Sequence, residues 1–149
     1  MPSIAPSYLY TFIALIAVSC LLVFSFMAYA DTLRFSSEVK QLKNLMAQIA
    51  AKSTELVTLT LATNATAEVH LQMPIVIGNK QYWLQLCNDS ASALVEGGFG
   101  NMPIKGTELQ VYLPKEVLAT GYYVGGYGAA CLACDIDDGA PRIELKSSG

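Results

Sequence analysis

The first thirty residues contain no Asp, Glu, Lys, Arg or His, and the first charged side chain is Asp31. Within that stretch Ser7–Ala30, SYLYTFIALIAVSCLLVFSFMAYA, also lacks Gly and Pro. As a helix it is about 36 Å long at 1.5 Å per residue, enough to cross a hydrocarbon core of about 30 Å. The hydroxyls of Ser7, Thr11, Ser19 and Ser25 can bond to the preceding helical turn, so they do not oppose insertion. Tyr8, Tyr10 and Tyr29 lie near the two ends, where amphipathic rings favour the membrane interface. The stretch predicts one transmembrane helix, with Cys20 as a small apolar member of it. A cleaved secretory signal is the competing reading, because Ala28-Tyr29-Ala30 has the A-x-A form. Against it, no basic segment precedes the apolar run, which exceeds the usual length of about 7 to 15 residues.

Composition supports this division. Of the 149 residues, 53% are hydrophobic and 14% charged, against about 25% charged in an ordinary soluble domain. All 9 basic and 12 acidic side chains follow residue 30. The excess hydrophobicity therefore marks an anchor rather than an oversized core. A net charge of −3 with no basic stripe excludes a dedicated nucleic-acid binder. The orientation signals conflict. Arg34, Lys40, Lys43 and Lys52 follow the span, which by the positive-inside rule favours the cytoplasm for the C-terminal side. Two N-x-[ST] sequons, at Asn64 and Asn88, and three cysteines beyond the span favour an oxidising exterior. The outer side is the expectation, with Asn64 and Asn88 as candidate glycosylation sites.

No Pro or Gly interrupts the chain between Ser7 and about Leu59. Beyond the span, Phe35, Val39, Leu42, Met46, Ile49 and Leu56 follow a 4-3-4-3 spacing with Ser53 at the missing position. Such a stripe suits helix against helix or helix against sheet. It is either the packed face of a helix on its own domain or an assembly seam between copies, and the spacing does not choose. A helix over residues 7–59 would be a rod on the order of 80 Å long, half of it lipid-like and half amphipathic.

From Thr54 a two-residue rhythm begins, and several runs further on read as strands: Ala67–Met73, Ile75–Ile77, Lys80–Cys87, Ala91–Val95, Glu108–Leu113, Gly121–Val124, Tyr127–Cys134 and Arg142–Leu145. Gly78-Asn79 and Gly125-Gly126 have hairpin-turn composition. Pro74, Pro103 and Pro114 fall at strand ends. The expected fold is α+β: a long N-terminal membrane and stalk helix, residues 1–59, followed by a small antiparallel all-β sandwich-like or barrel-like head, residues 60–149.

No enzyme emerges from the residues. His70 is the sole histidine, and no Ser-His-Asp set, P-loop or zinc-type cluster can be assembled around it. No cofactor is expected. Cys131-Leu132-Ala133-Cys134 is a C-x-x-C, but it lies in strand-like sequence rather than at a helix start, where a redox pair belongs. The expected use of Cys87, Cys131 and Cys134 is one disulfide, joining Cys87 to either of the others, with one thiol left free. Asp135-Ile136-Asp137-Asp138-Gly139 fails the EF-hand spacing; Asp135, Asp137 and Asp138 are candidates for weak calcium binding only, and an ion-free acidic turn is favoured. Tyr122, Tyr123 and Tyr127 are either sheet packing or a contact surface for a protein or glycan.

An uncharged apolar N-terminus, a helix continuing through Phe35–Leu56 and a β head from Thr58 onward together resemble the archaeal type IV pilin-like superfamily, which includes pilus, archaellum filament and stator-type subunits. The likeness is one of architecture: no basic residue precedes Arg34, so the prepilin processing motif is absent, and the Glu that bacterial pilins carry near the helix start has no counterpart before Glu38. The chain is either an already processed subunit or an unprocessed membrane-anchored, stator-like relative. The resemblance implies a non-enzymatic structural subunit or accessory of an extracellular filament, assembling through its N-terminal helix. It also implies membrane and self-association as partners, with contact to the cell envelope or S-layer. The alternative is a single-pass membrane-anchored protein whose extracellular β head contacts a ligand or glycan.

Overall fold

The computed structural model describes residues 4–90, 92–100, 109–113 and 116–149. Two compact units divide the chain, Met1–Ser37 and Glu38–Gly149. One helix, α1 (Ile4–Thr63), supplies the described part of the first unit and the opening element of the second.

From Tyr8 to Ala30 α1 is apolar on every side, and the large side chains from Tyr8 to Phe35 are exposed. Four hydroxyls there are satisfied within the helix. Thr11, Ser19, Ser25 and Thr32 each donate a hydroxyl hydrogen bond to the carbonyl four residues back, at 2.7–3.0 Å.

The second unit sets the remainder of α1 against a sheet. The strands are β1 (Ala67–Leu71), β2 (Tyr82–Asp89), β3 (Ser92–Phe99), β4 (Leu109–Tyr112), β5 (Leu118–Val124), β6 (Ala129–Asp137) and β7 (Ala140–Ser148). They form one seven-stranded sheet in the order β1-β6-β7-β5-β2-β3-β4. All neighbours are antiparallel except β5 and β7. The fold is α+β as expected. The layer opposite the sheet is α1 itself, and no second sheet is present among the described residues.

That packing decides the reading of the amphipathic stripe. Leu42, Met46, Ile49 and Leu56 are buried in the same core as Tyr82, Leu84, Leu86, Val95, Ala119, Tyr123, Leu132, Ile143 and Leu145. Glu38 on one side and Val57 and Thr60 on the other extend the buried face of α1, and Ser53 fills the position between Ile49 and Leu56. The spacing of Phe35, Val39, Leu42, Met46, Ile49 and Leu56 left an own-domain face and an assembly seam open; Leu42, Met46, Ile49 and Leu56 are the inner layer of the chain's own head, not seam positions. Val39 is half-buried and Phe35 remains 54% exposed. Each large apolar side chain so buried contributes roughly 1.5–3 kcal/mol by removing its surface from water.

The helix also runs further than its residue types indicate. Thr54, Thr58 and Thr63 donate their hydroxyls to the carbonyls of Ala50, Thr54 and Leu59, while Leu56 and Val57 are buried. Tertiary burial outweighs the β propensity of this run. The boundary expected at residues 59 and 60 thus falls inside α1. Asn64 ends the helix. Its φ is +53°, and its N–H donates to the Thr60 carbonyl at 2.8 Å, the left-handed capping geometry that Asn tolerates.

The turns match their residues. Ile77 and Lys80 exchange both backbone hydrogen bonds, at 3.0 and 3.1 Å, with Gly78-Asn79 as the two turn residues and Gly78 at φ +63°. Ile75–Ile77 supplies only this bridge, not a strand. Gly125-Gly126 also lies in a turn, but β5 and β6 are not paired; β7 lies between them. Gly121, at φ +125°, sits where a Cβ would overlap the backbone of Leu145 on the parallel neighbour. Pro103 and Pro114, and the expected strand residues Ala91 and Glu108, lie outside the described residues.

Candidate functional site

Two surfaces have functional potential: the exposed apolar length of α1 and the sheet face turned away from α1. On α1 the exposed side chains include Leu9, Phe12, Ile16, Leu21, Phe24 and Met27, which point in all directions around the helix. A helix that is hydrophobic all round belongs in a lipid bilayer or the interior of an assembly. This helix is long and apolar enough to cross a membrane, with a mean hydropathy of 2.5 over its best window. Cys20 lies on this surface and is exposed.

The outer face of the sheet follows from strand alternation. Ala130, Leu132 and Cys134 on β6 enter the core, so Cys131 and Ala133 point outward. Cys131 and Cys134 therefore stand on opposite faces and cannot form a C-x-x-C pair. Cys87 lies on β2, three strand positions from β6, about 14 Å away at about 4.8 Å per strand. A disulfide needs Cα atoms within about 7 Å. The bridge expected from Cys87 to Cys131 or Cys134 is thereby corrected: all three thiols are free. None is activated. Burial pushes the Cys87 thiol up to about 11, helped by the Glu96 and Asp89 carboxylates. Burial also raises Cys134, with the Thr60 hydroxyl acting the other way. Cys131 is raised by burial and by Glu68, while Lys146 pulls it down.

His70 and Glu68 project from β1 onto this same outer face, and His70 is the direct cross-strand partner of Cys131. One ligand atom each from Glu68, His70 and Cys131 lies within 4.8 Å of the others. No local sequence pattern joins these three. The signal present was Glu68-x-His70, whose spacing puts both side chains on one face of a strand; the pairing of β1 with β6, some sixty residues on, was not legible. Lys146 on β7 stands opposite Cys131 and pairs with Glu144 at 3.0 Å.

The acidic run is a hairpin turn. Asp137 pairs with Ala140, and Asp138-Gly139 between them have φ of +49° and +81°, the type I′ signature. Asp137 is held by Arg142 at 3.4 Å. Asp135, Asp137 and Asp138 do not form a converging ligand group among the described residues.

The tyrosines separate. Tyr123 is buried on the α1 side and donates its hydroxyl to the Gly128 carbonyl at 2.7 Å. Tyr122 faces outward and stacks on Trp83, ring centroids 6.5 Å apart. Trp83 is itself 1% exposed and lies over Gly98. Tyr127 is in the turn after β5 and exposed. The three do not share one contact surface. Asn64 is exposed at the end of α1, and the exposed Asn88 accepts the Ala119 N–H at 3.1 Å through its side-chain oxygen.

No protein-family model, curated protein or solved structure matches the chain.

Proposed function

We propose that the chain is a non-enzymatic structural subunit or accessory of an extracellular type IV pilus-like filament of the archaeal kind, assembling through α1. The observation that supports this is the division of one helix into two environments. Its N-terminal half exposes large apolar side chains on every side, whereas its continuation buries one stripe in the head. A membrane anchor needs the first property. A filament subunit uses both, as does an anchored head; in the filament reading the subunit passes from bilayer to helix bundle while its head stays folded. Assembly contacts then belong to residues 5–35, not to Leu42, Met46, Ile49 or Leu56.

The scatter of Tyr122, Tyr123 and Tyr127 also speaks for a structural role over the alternative of a membrane-anchored binding head, which would call for a contiguous aromatic patch. With the C-terminal head outside, Asn64 stands exposed for glycan attachment and Asn88 with it, and the head is the part that meets the envelope. Negative-stain imaging of sheared cell-surface material, with peptide identification, tests the proposal. Filaments carrying peptides of this chain support it. A chain whose peptides are found neither in filaments nor in membrane material co-purifying with them refutes it.

A further inference from the structure

We propose that Glu68, His70 and Cys131 form a binding site for a zinc-type divalent cation that clamps the edge strand β1 to β6. The three come from two strands that face each other in register, His70 opposite Cys131 and Glu68 two residues earlier on the same side. Their ligand atoms already converge within 4.8 Å. In a tetrahedral zinc site with Zn–N and Zn–O near 2.0 Å and Zn–S near 2.3 Å, ligand atoms stand about 3.3–3.6 Å apart. Small side-chain rotations close that difference. His70 and Glu68 are exposed and free to make them, while Cys131 is held in place by its buried position.

The donor set selects the ion. One imidazole nitrogen, one thiolate and one carboxylate suit zinc and its neighbours, and disfavour calcium and magnesium, which want oxygen alone. An iron–sulfur cluster is excluded by supply: Cys134 points into the core and Cys87 is three strands away. Three protein ligands leave the fourth position to water or to a group from a neighbouring chain. The charged groups facing the site are Glu68 itself on β1 and Glu144 and Lys146 on β7, the last two paired at 3.0 Å. Binding displaces the Cys131 proton to solvent, so affinity rises with pH. The structural consequence is local. Among the described residues β1 has β6 as its sole partner strand, and it is the first strand after α1. A cation across this pair fixes the edge where the chain leaves the helix.

The test uses the full chain in detergent micelles, stripped with a chelator and titrated with Co(II), then Zn(II). The expected result is one Co(II) per chain, with a thiolate-to-cobalt charge-transfer band in the near ultraviolet and d–d absorption in the visible, both removed by Zn(II). His70→Ala weakens binding by at least about tenfold, since even the loss of an outer partner of a metal ligand costs that much. Cys131→Ser abolishes the charge-transfer band, and Cys87→Ser leaves both bands unchanged. Because His70 is exposed, its variant keeps the fold, which circular dichroism and Trp83 emission verify. A wild-type chain that gives no thiolate-to-cobalt band overturns the proposal, as does a His70→Ala chain that binds Co(II) like wild type.

Discussion

Met46→Ala distinguishes a helix stripe that belongs to the head from one that belongs to an interface between copies. Met46 is fully buried, and its sulfur sits above Gly97 of β3, where an added Cβ would come within 3.0 Å of it. Truncation to Ala removes the thioether arm and leaves a cavity between α1 and the sheet. Losses of this kind cost about 2–5 kcal/mol. The unit Glu38–Gly149 has 112 residues, a size at which 1 kcal/mol moves the melting temperature by roughly 4 °C. The expected drop is therefore on the order of 8–20 °C. The assay is thermal unfolding of monomeric protein in detergent, followed by the emission of Trp83, the one tryptophan. The predicted shift is independent of protein concentration. Phe24→Ala, on the exposed length of α1, leaves the transition where it was. A Met46→Ala protein that melts with wild type while losing only self-association would refute the assignment of this stripe to the head core.

Further expectations follow from other positions. Gly121→Ala drives a Cβ into the Leu145 backbone at a positive φ and should abolish the cooperative transition, seen as loss of near-ultraviolet dichroism. Asn64→Ala should cost about 1 kcal/mol in the same melt, whereas Asn64→Gly is close to neutral, since only the left-handed cap is at stake. Alkylation of Cys87 at pH 8 should run about a hundredfold slower than for an ordinary thiol. Its folded value stands near 11 rather than 9.0, and the rate should climb tenfold per pH unit up to that value. Mass spectrometry of the labelled peptide measures it, and a rate already level at pH 9 would contradict the burial argument.

How much of this was legible in the sequence depends on the range of the interactions. The uncharged N-terminal run was readable because a membrane or an assembly interior imposes a contiguous constraint. Strands β2, β5, β6 and β7 were readable within a few residues because alternation is local. The Gly78-Asn79 turn was as well. The stripe Leu42–Leu56 was visible as a pattern, but a pattern states that a face is buried, not against what. The Thr-rich end of α1 was misread as strand because burial of Leu56 and Val57 overrides residue preference. The same limit governed the thiols. Cysteine count and spacing carry no strand order, whereas pairing depends on that order, and it puts Cys87 far from β6. The Glu68, His70 and Cys131 convergence rests on β1 joining β6 across some sixty residues of chain, for which no local signal exists.

The central claim is that the N-terminal half of α1 drives assembly while its continuation holds the head. Electron microscopy of purified chain after detergent removal, wild type against Leu22→Lys, tests it most directly. Leu22 lies in the middle of the exposed apolar length, and a lysine there costs about 2.5–3.5 kcal/mol per copy in an apolar environment. Ordered filaments from wild type, and dispersed chains with an unchanged Trp83 melt from Leu22→Lys, are the predicted result. Filaments from the Leu22→Lys chain, or a wild-type chain that remains a single inserted copy when lipid is supplied and never assembles without it, would contradict the claim.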